Sequence, residues 1–410
     1  MKPFKVPACI EEYLRGKTPP PFSIPPPDPL SLPAPPGEPG AGRVLDALMG
    51  AATDGRPLDI AADDSGDAVA AAAIILSLAS RLGIPAAGPS DGLFGAAPPI
   101  DPLRVEIGPR GVAIPDISGA PLLVPRRGLS ISGTALAVVA AAARAGAIDY
   151  PSDFVAFDLE TTGRDPWADE ILEIGAVKYI GRTEAGTHST FVRPSGPVPE
   201  EIVGMTGIDD GMVRDAPPPS EAVRGFMEFC GGLPLVAHNA PFDVAFLRRQ
   251  AALRLGTRAG TAAEDTLPLS RWLYPEAPGH RLGDMARLLG VPIESWHRAA
   301  HDARTAGRIY LALTDRGAGE LRALRVLECL DLAALGTIAS GLALDGENEI
   351  LVKRGMKAMT MGFRLAGCSR APRMERPPPP RGVAEMLLSL DDRLKRRAAL
   401  HALAGVVTRS

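Results

Sequence analysis

Two acidic residues separated by a single residue follow an apolar run near the middle of the chain. The segment PSDFVAFDLETTG leads through residues 154–157 into Asp158 and Glu160, and Gly163 ends it. In a β-strand, residues two apart point to the same side, so both carboxylates would project from one face. Adjacent carboxylates repel each other, and a divalent cation removes that repulsion. The pair predicts either oxygen ligands for Mg²⁺ or Mn²⁺, or an edge strand with two solvated acids.

Further acids favour the metal-binding interpretation. In LPLVAHNAPFDVAFLRRQ, a buried strand and a loop precede a helix that begins near Asp243, which on its own could be only the N-terminal cap of that helix. In SWHRAAHDARTAGRIYLALTD, four residues separate His297 from Asp302, and a helix is expected from Asp302 onward. His301 adjoins Asp302 but would point about 100° away from it on that helix. On its own, a His–Asp spacing of this kind is a weak signal, because many helices start with such residues.

Together these features resemble the three exonuclease motifs of the DEDDh family, namely D-x-E on a strand, Asp after the HNAPF loop, and H-x-x-x-x-D. That family is typified by the proofreading epsilon subunit of bacterial DNA polymerase III. The similarity continues in ILEIGAVKYI, PEEIVGMTGIDDGMV and EDTLPLSRWLYPEAPGHRLGDMARLLGV, and it is greatest to the exonuclease domains of the Gram-positive replicative polymerases. It covers about residues 150–315 of the chain.

The resemblance implies an RNase H-like α/β fold, with a mixed five-stranded sheet and helices on both of its faces. Three antiparallel strands are expected at about 153–160, 170–180 and 187–193, with parallel strands near 233–237 and 263–266. The residue pattern agrees, because a β-rich start gives way to alternating strands and helices.

The resemblance also implies a catalytic site with two Mg²⁺ or Mn²⁺ ions. Asp158, Glu160 and Asp302 would hold the ion that activates water, Asp158 would bridge to the second ion, and Asp243 would complete the acidic set. His297 would be the general base that takes a proton from the attacking water, since an imidazole titrates near physiological pH.

Neighbouring residues have expected supporting roles. Thr161 and Thr162 resemble family residues that contact the terminal nucleotide, although hydroxyls that cap a turn are the alternative. His238 and Asn239 are expected to shape the loop before the second motif. Four arginines could contact the nucleic-acid backbone: Arg248, Arg249, Arg298 and Arg304.

These features predict a metal-dependent 3′–5′ exonuclease that acts on single-stranded or frayed DNA ends and releases nucleoside 5′-monophosphates in replication proofreading or repair. A 3′–5′ exoribonuclease stays open, because selection of the sugar depends on contacts to the 2′-hydroxyl that no motif reports. A catalytically dead nucleic-acid-binding scaffold also stays open, although retention of all five motif residues argues against it. No polymerase or helicase motif is recognised, and GPSDGLFG lacks the lysine of a P-loop. Proofreading is therefore expected to require a DNA polymerase or repair partner.

The N-terminal third of the chain predicts two segments. Residues 1–41 predict a disordered leader, since 13 of the 42 prolines fall in residues 1–40. Residues 42–149 predict a small α/β unit with a strand at PLDIAAD, a helix at AVAAAAIILSLASRLG, a hairpin at LRVEIGPRGVAIP and a helix at GTALAVVAAAARAG. Asp63, Asp64 and Asp67 are expected to cap the first helix rather than bind a cation.

Residues 316–410 predict a mainly helical, basic region. A helix at GELRALRVLECLDLAALG, a strand at ENEILVKRG and a final amphipathic helix after APRMERPPPPRG are expected. From residue 351 to the end there are 13 Lys and Arg against 4 Asp and Glu, whereas the whole chain of 410 residues has a net charge of −4. This basic end either attracts polyanions or keeps an exposed tail in solution.

Composition bounds the class of protein. The chain is 46% hydrophobic and 22% charged, which excludes a wholly disordered or fibrous protein. Its four cysteines are far apart, which favours a reducing cytoplasm over a disulfide framework or a thiolate zinc site. The longest apolar stretch, residues 68–80, is shorter than the roughly 18 residues that a membrane crossing needs. No feature of the sequence predicts an oligomeric state.

Overall fold

The computed structural model describes residues 39–62, 66–84, 102–115, 117, 121–124, 128–255, 263–293, 298–340, 342 and 346–361. The chain divides into two compact units. The central unit is Tyr150–Arg316, and the flanking unit combines the described residues up to Asp149 with those from Gly317 onward. The predicted division kept residues 42–149 and 316–410 as separate segments, whereas their described parts pack into this one unit.

The N-terminal part of the flanking unit has a three-stranded sheet. Its elements are α1 (Pro39–Asp54), β1 (Leu58–Ala62), α2 (Gly66–Arg81), β2 (Leu103–Gly108), β3 (Gly111–Ala113) and α3 (Ile131–Arg144). β1 pairs with β2 in parallel and β2 with β3 antiparallel, so the predicted strand, hairpin and two helices are confirmed. α1 begins at Pro39, inside the segment predicted to be disordered. Gly40 packs so tightly there that a Cβ would lie 1.9 Å from the Leu122 carbonyl oxygen.

The central unit is built on a mixed sheet of strand order β6-β5-β4-β7-β8. The strands are β4 (Phe154–Thr161), β5 (Ile171–Ile180), β6 (Thr183–Phe191), β7 (Leu235–Ala237) and β8 (Ala263–Asp265). β4, β5 and β6 are antiparallel neighbours, whereas β7 runs parallel to β4 and β8. β6 starts four residues earlier than expected, since Gly181 and Arg182, with φ of 56° and 67°, form a tight hairpin turn.

Helices cover both faces of this sheet, as predicted. They are α4 (Glu200–Thr206), α5 (Asp210–Val213), α6 (Pro219–Cys230), α7 (Ala240–Leu255), α8 (Thr266–Leu273), α9 (Leu282–Leu289) and α10 (Ala299–Leu313). Phe157 of β4 contacts Phe226 of α6, with ring centroids 5.6 Å apart. Its neighbour Ala156 packs against Gly307 of α10. Because successive strand residues point to opposite faces, α6 and α10 lie on opposite sides of the sheet.

Close packing sets the position of α10 on the sheet. Phe154 stacks on Tyr179, and the edge of Tyr310 meets the same ring, both with centroids 4.7 Å apart. A Cβ at Gly307 would lie 2.5 Å from the Tyr179 ring, so glycine allows the helix to approach this closely. All three rings are buried. The apolar half of α10 therefore fixes where its first turn lies over the sheet.

The C-terminal helices complete the flanking unit. They are α11 (Ala318–Leu327), α12 (Leu330–Ser340) and α13 (Gly346–Met361), and α12 packs against α2, α3 and α13. The prediction of a strand at ENEILVKRG is wrong, because these residues lie in the first part of α13. Its buried residues Leu351, Gly355 and Ala358 recur at helical spacing.

Other predictions concern the ends of the chain. Most of the proline-rich leader, the final amphipathic helix and most of the basic end lie outside the described residues. None of the helices in the described ranges combines the length and the apolarity that crossing a membrane needs.

Candidate active site

Asp158 and Glu160 lie on the face of β4 that α10 covers. Asp158 pairs in register with Gly175 of β5. A Cβ at Gly175 would lie 2.0 Å from the Ala299 backbone, so the first turn of α10 lies directly over the sheet at this point. Glycine here therefore allows Asp302, which that turn carries, to approach the acids of β4.

Three of the predicted ligands converge. One carboxylate oxygen from each of Asp158, Glu160 and Asp302 lies within 4.8 Å of the others. Asp302 is buried, and the other two side chains are half-buried. An edge strand with two solvated acids does not describe this arrangement, because a third acid from a distant helix closes it.

Asp243 reaches the same strand from α7. It is 3% exposed, and its Oδ1 accepts a hydrogen bond from the Leu159 N–H at 3.2 Å. Leu159 is the residue between the two acids of β4. Its helix begins at Ala240 rather than near Asp243, so Asp243 lies within the first turn and is not the N-terminal cap, and its side chain bonds to the strand that carries the other carboxylates.

Burial and mutual repulsion raise the pKa values of these carboxyls. Burial, followed by the carboxylates of Asp243 and Asp302, raises the pKa of Asp158 well above its usual range. Burial and Asp302 raise the pKa of Glu160 to about 7. Burial also raises the pKa of Asp243, against the lowering effect of its bond to Leu159. A hard divalent cation relieves this repulsion, and an all-oxygen donor set fits Mg²⁺ or Mn²⁺.

Glu173 of β5 supports the site and was not singled out from the sequence. It is 1% exposed and pairs in register with Glu160. Its Oε1 accepts a hydrogen bond from Arg298 at 3.0 Å, and its Oε2 accepts one from the Ala299 N–H at 3.3 Å. These bonds tie the start of α10 to the sheet. An acid within the apolar strand ILEIGAVKYI was the available signal, because a buried carboxylate requires partners.

The loop between β7 and α7 is held by His238 and Asp265. The two ring nitrogens of His238 bond to Thr266 Oγ1 and to the His280 carbonyl oxygen, both at 2.8 Å. Burial lowers the pKa of His238 to about 4, so the ring is neutral near pH 7. Asn239 has φ of 72° and donates its N–H to Asp265 Oδ1 at 2.9 Å. These contacts agree with the expectation that His238 and Asn239 shape this loop.

The hydroxyls of Thr161 and Thr162 order the loop after β4. Thr161 Oγ1 donates to the Gly163 carbonyl oxygen at 2.6 Å. Thr162 donates its N–H to the Glu170 carbonyl oxygen at 2.8 Å, and its Oγ1 accepts the Glu170 N–H at 2.9 Å. These bonds match the turn-capping alternative, and contact with a terminal nucleotide stays a prediction.

His297 lies outside the described residues, which resume at Arg298. Its role as the general base therefore stays a prediction. His301 is in the first turn of α10, beside Asp302.

The central unit matches a known family. Residues 155–310 match the RNase_T family model, which is described as an exonuclease. The PolC-type DNA polymerase III of Caldanaerobacter subterraneus is 42% identical over 164 residues, which are 40% of this chain and 12% of that protein. A DNA polymerase III subunit epsilon-like protein of Rhodobacter capsulatus is 41% identical over 165 residues, which are 39% of this chain and 23% of that protein. The match thus spans about an eighth of the PolC-type relative and about a quarter of the epsilon-like one.

Solved structures with similarity include two exonucleases. Escherichia coli exonuclease I in complex with a dA16 oligonucleotide has a TM-score of 0.39 and 17% identity, over 43% of this chain and 44% of that chain. Exonuclease X in complex with 5′ overhanging duplex DNA has a TM-score of 0.34 and 23% identity, over 42% of this chain and 99% of that chain.

Proposed function

We propose that this protein is a metal-dependent 3′–5′ exonuclease, and the match of residues 155–310 to the RNase_T exonuclease model supports this proposal. It hydrolyses phosphodiester bonds at the 3′ end of single-stranded or frayed DNA and releases nucleoside 5′-monophosphates. The observation that carries the proposal is the convergence of Asp158, Glu160 and Asp302 within 4.8 Å. A structural role alone does not account for placing these buried and half-buried acids against one another.

The acidic set has the composition of a site for two Mg²⁺ or Mn²⁺ ions. Asp158, Glu160 and Asp302 would hold one ion, Asp158 would be shared with a second, and Asp243 would complete the set. When bound, such ions neutralise the charge of the phosphodiester and stabilise the attacking and leaving oxygens. The raised pKa values of the carboxyls agree with this assignment, because burial and then repulsion by neighbouring carboxylates raise them, and a bound cation would offset both effects.

The protein's own groups orient the reactants. His297 accepts a proton from the attacking water, and it directly precedes Arg298, which Glu173 holds on the sheet. Thr161 and Thr162 follow the metal-binding acids of β4 and contact the 3′-terminal nucleotide. Buried and half-buried acids of this kind are reached more easily by a single strand than by a stacked duplex.

The relatives support DNA as the substrate. The PolC-type and epsilon-like proteins are named as DNA polymerase III components. We infer a role in replication proofreading or repair, together with a polymerase or repair partner.

The decisive experiment incubates the full-length protein and Mn²⁺ with 5′-labelled single-stranded DNA and with RNA of the same sequence. Labelled products that shorten stepwise support 3′–5′ hydrolysis, whereas immediate release of the labelled nucleotide reverses the polarity. Faster shortening of RNA selects an exoribonuclease. Binding without cleavage rejects the enzyme and favours a scaffold.

A matched pair of variants locates the activity. Asp158→Asn should lower cleavage by about 100-fold or more, while Glu228→Gln, which changes an exposed acid of α6, should leave it unchanged. Equal activity of the two variants would exclude the carboxylate cluster as the site.

A further inference from the structure

Trp167 exposes a large aromatic ring in the loop that follows β4. The residue is 57% exposed. Single exposed apolar residues are common on protein surfaces and need no special role. Trp167 differs in two ways. Hydrogen bonds within its loop order the backbone, and the guanidinium of an arginine on α7 packs on its ring.

The loop between Thr162 and Glu170 is internally bonded. The Asp165 N–H donates to Asp169 Oδ2 at 2.8 Å, and the Trp167 N–H donates to Asp165 Oδ1 at 2.9 Å. The two bonds between Thr162 and Glu170 close its ends. The backbone that carries the indole is thus fixed before any ligand arrives, which lowers the entropy cost of binding.

Arg249 of α7 holds the same residue. Its guanidinium lies over the indole ring, 4.7 Å from the ring centroid, and its Nη2 donates to the Trp167 carbonyl oxygen at 2.8 Å. Asp243 is six residues earlier on this helix, a rise of about 9 Å along the axis. The Trp167–Arg249 pair therefore connects the end of β4 with α7, the two elements that carry three of the four site acids.

We propose that Trp167, backed by Arg249, is a stacking platform for a base of the single strand that enters the site. The inference rests on the proposed exonuclease function and adds a binding subsite to it. Every base has an aromatic face, so stacking tolerates any sequence, and the arginine adds a cation–π contribution. Arg249, which packs on the indole, lies about 9 Å along α7 from Asp243. This distance assigns the platform to a base behind the terminal nucleotide, rather than to the nucleotide being released.

Two substrates separate this subsite from the catalytic centre. A single-stranded oligonucleotide reaches both, whereas the p-nitrophenyl ester of thymidine 5′-monophosphate has no base behind the cleaved bond. Trp167→Ala should raise the KM for the oligonucleotide about tenfold, with kcat and hydrolysis of the ester unchanged. Trp167→Phe keeps an aromatic face and should stay close to wild type. Leu288→Ala, at an exposed apolar residue of α9, is the control for loss of surface area.

Binding provides a readout that does not require hydrolysis. In an Asp158→Asn background, single-stranded DNA should quench tryptophan fluorescence, and adding Trp167→Phe should remove most of that quenching. An unchanged oligonucleotide KM in Trp167→Ala, or an equal loss on the ester, would overturn the platform. If the wild type cleaves neither substrate, the proposed function fails instead, and the quenching measurement still decides whether Trp167 stacks on bases.

Discussion

Acidic side chains are matched with different partners in the two units. In the flanking unit, Asp67 Oδ2 accepts the Ile131 N–H at 2.8 Å, and its Oδ1 accepts the Ser132 N–H at 2.9 Å. In the same unit, Glu328 pairs with Arg325 at 3.3 Å. In the central unit, by contrast, carboxylates face other carboxylates, and their pKa values rise.

The difference separates acids that stabilise the fold from acids that could bind a metal ion. Asp67 supplies negative charge to the N-terminus of α3, where backbone N–H groups lack partners within the helix. Asp67 also lies in the first turn of its own helix, and its bonds to α3 were not predicted. Asp63 and Asp64 lie outside the described residues, so the expectation that these acids cap a helix stays a prediction. Among the described residues, Asp158, Glu160 and Asp302 are held against one another at the candidate site, where a cation would relieve their repulsion.

The largest predicted effect comes from removing one member of the cluster. Asp158→Asn should lower kcat by about 10²–10³-fold or more, the scale of losing one electrostatic contributor to a transition state. The folded protein should be at least as stable as the wild type without metal, since one source of repulsion is gone. Cleavage rates and thermal unfolding in EDTA measure the two effects. A variant that is both active and destabilised would place Asp158 with the structural acids.

Glu173 lies beside the acidic cluster but bonds to an arginine and a backbone N–H, as the structural acids do. It therefore tests whether a structural acid supports catalysis by positioning Asp302. Glu173→Gln weakens the bonds to Arg298 and Ala299, and so loosens the turn that carries Asp302. We expect a loss of about 10–100-fold in kcat, with a higher Mn²⁺ concentration needed for half-maximal activity.

A matched control for Glu173 lies on the neighbouring strand. Glu184 of β6 pairs with Arg304 of α10 at 3.1 Å, farther along the same helix. Glu184→Gln should therefore retain activity and the Mn²⁺ midpoint. Equal losses in both variants would indicate that any ion pair to α10 matters, and would remove the special role of Glu173.

Asp67 gives the opposite result in the flanking unit. Asp67→Asn replaces one accepting oxygen with a donor that faces a backbone N–H. We expect a loss of about 1.5–3 kcal/mol in the free energy of unfolding, with kcat unchanged at temperatures where the protein is folded. Denaturant unfolding and cleavage assays on the same sample test this expectation. Reduced kcat without reduced stability would contradict the separation of the two classes.

The sequence predicted the parts of the site that depend on strand alternation or helical spacing within one element. Alternation along β4 placed Asp158 and Glu160 on one face. The helical pattern predicted a helix that opens at Asp302, whereas the observed helix begins three residues earlier, at Ala299. The roles of Gly175 and Glu173 depend on which residues pair across the sheet, and this register is a property of two strands rather than of either one. Sequence motifs therefore predicted which acids converge, but not the residues that bring them together.

The flanking unit shows the same limit at larger scale. The short segment ENEILVKRG predicted a strand, but the helical spacing of Leu351, Gly355 and Ala358 is visible only over a longer window. A tertiary contact also requires glycine at position 355, since a Cβ on Gly355 would lie 2.2 Å from the Leu330 carbonyl oxygen. Such a long-range approach leaves no local signal, so the packing of C-terminal helices with α2 and α3 was not predicted.

The smallest predicted effect is a dependence of protein stability on pH, which arises from Glu160 in the central unit. The pKa of Glu160 is raised from 4.5 to about 7, so the folded state binds this proton more tightly than the unfolded state does. Its stabilising contribution is complete below about pH 4.5 and is lost as the pH rises through about 7. The Tm of the metal-free protein should therefore fall modestly between about pH 6 and pH 8, and Mn²⁺ should raise the Tm more at the higher pH, where the carboxylates are ionised. Thermal unfolding in EDTA and in Mn²⁺ measures both trends. Glu160→Gln should weaken them, because it removes one titrating carboxyl while Asp158 and Asp243, whose pKa values are also raised, remain. An equal Mn²⁺ effect at both pH values would mean that the ion binds away from these carboxylates, and the contrast between the two units would lose its chemical basis.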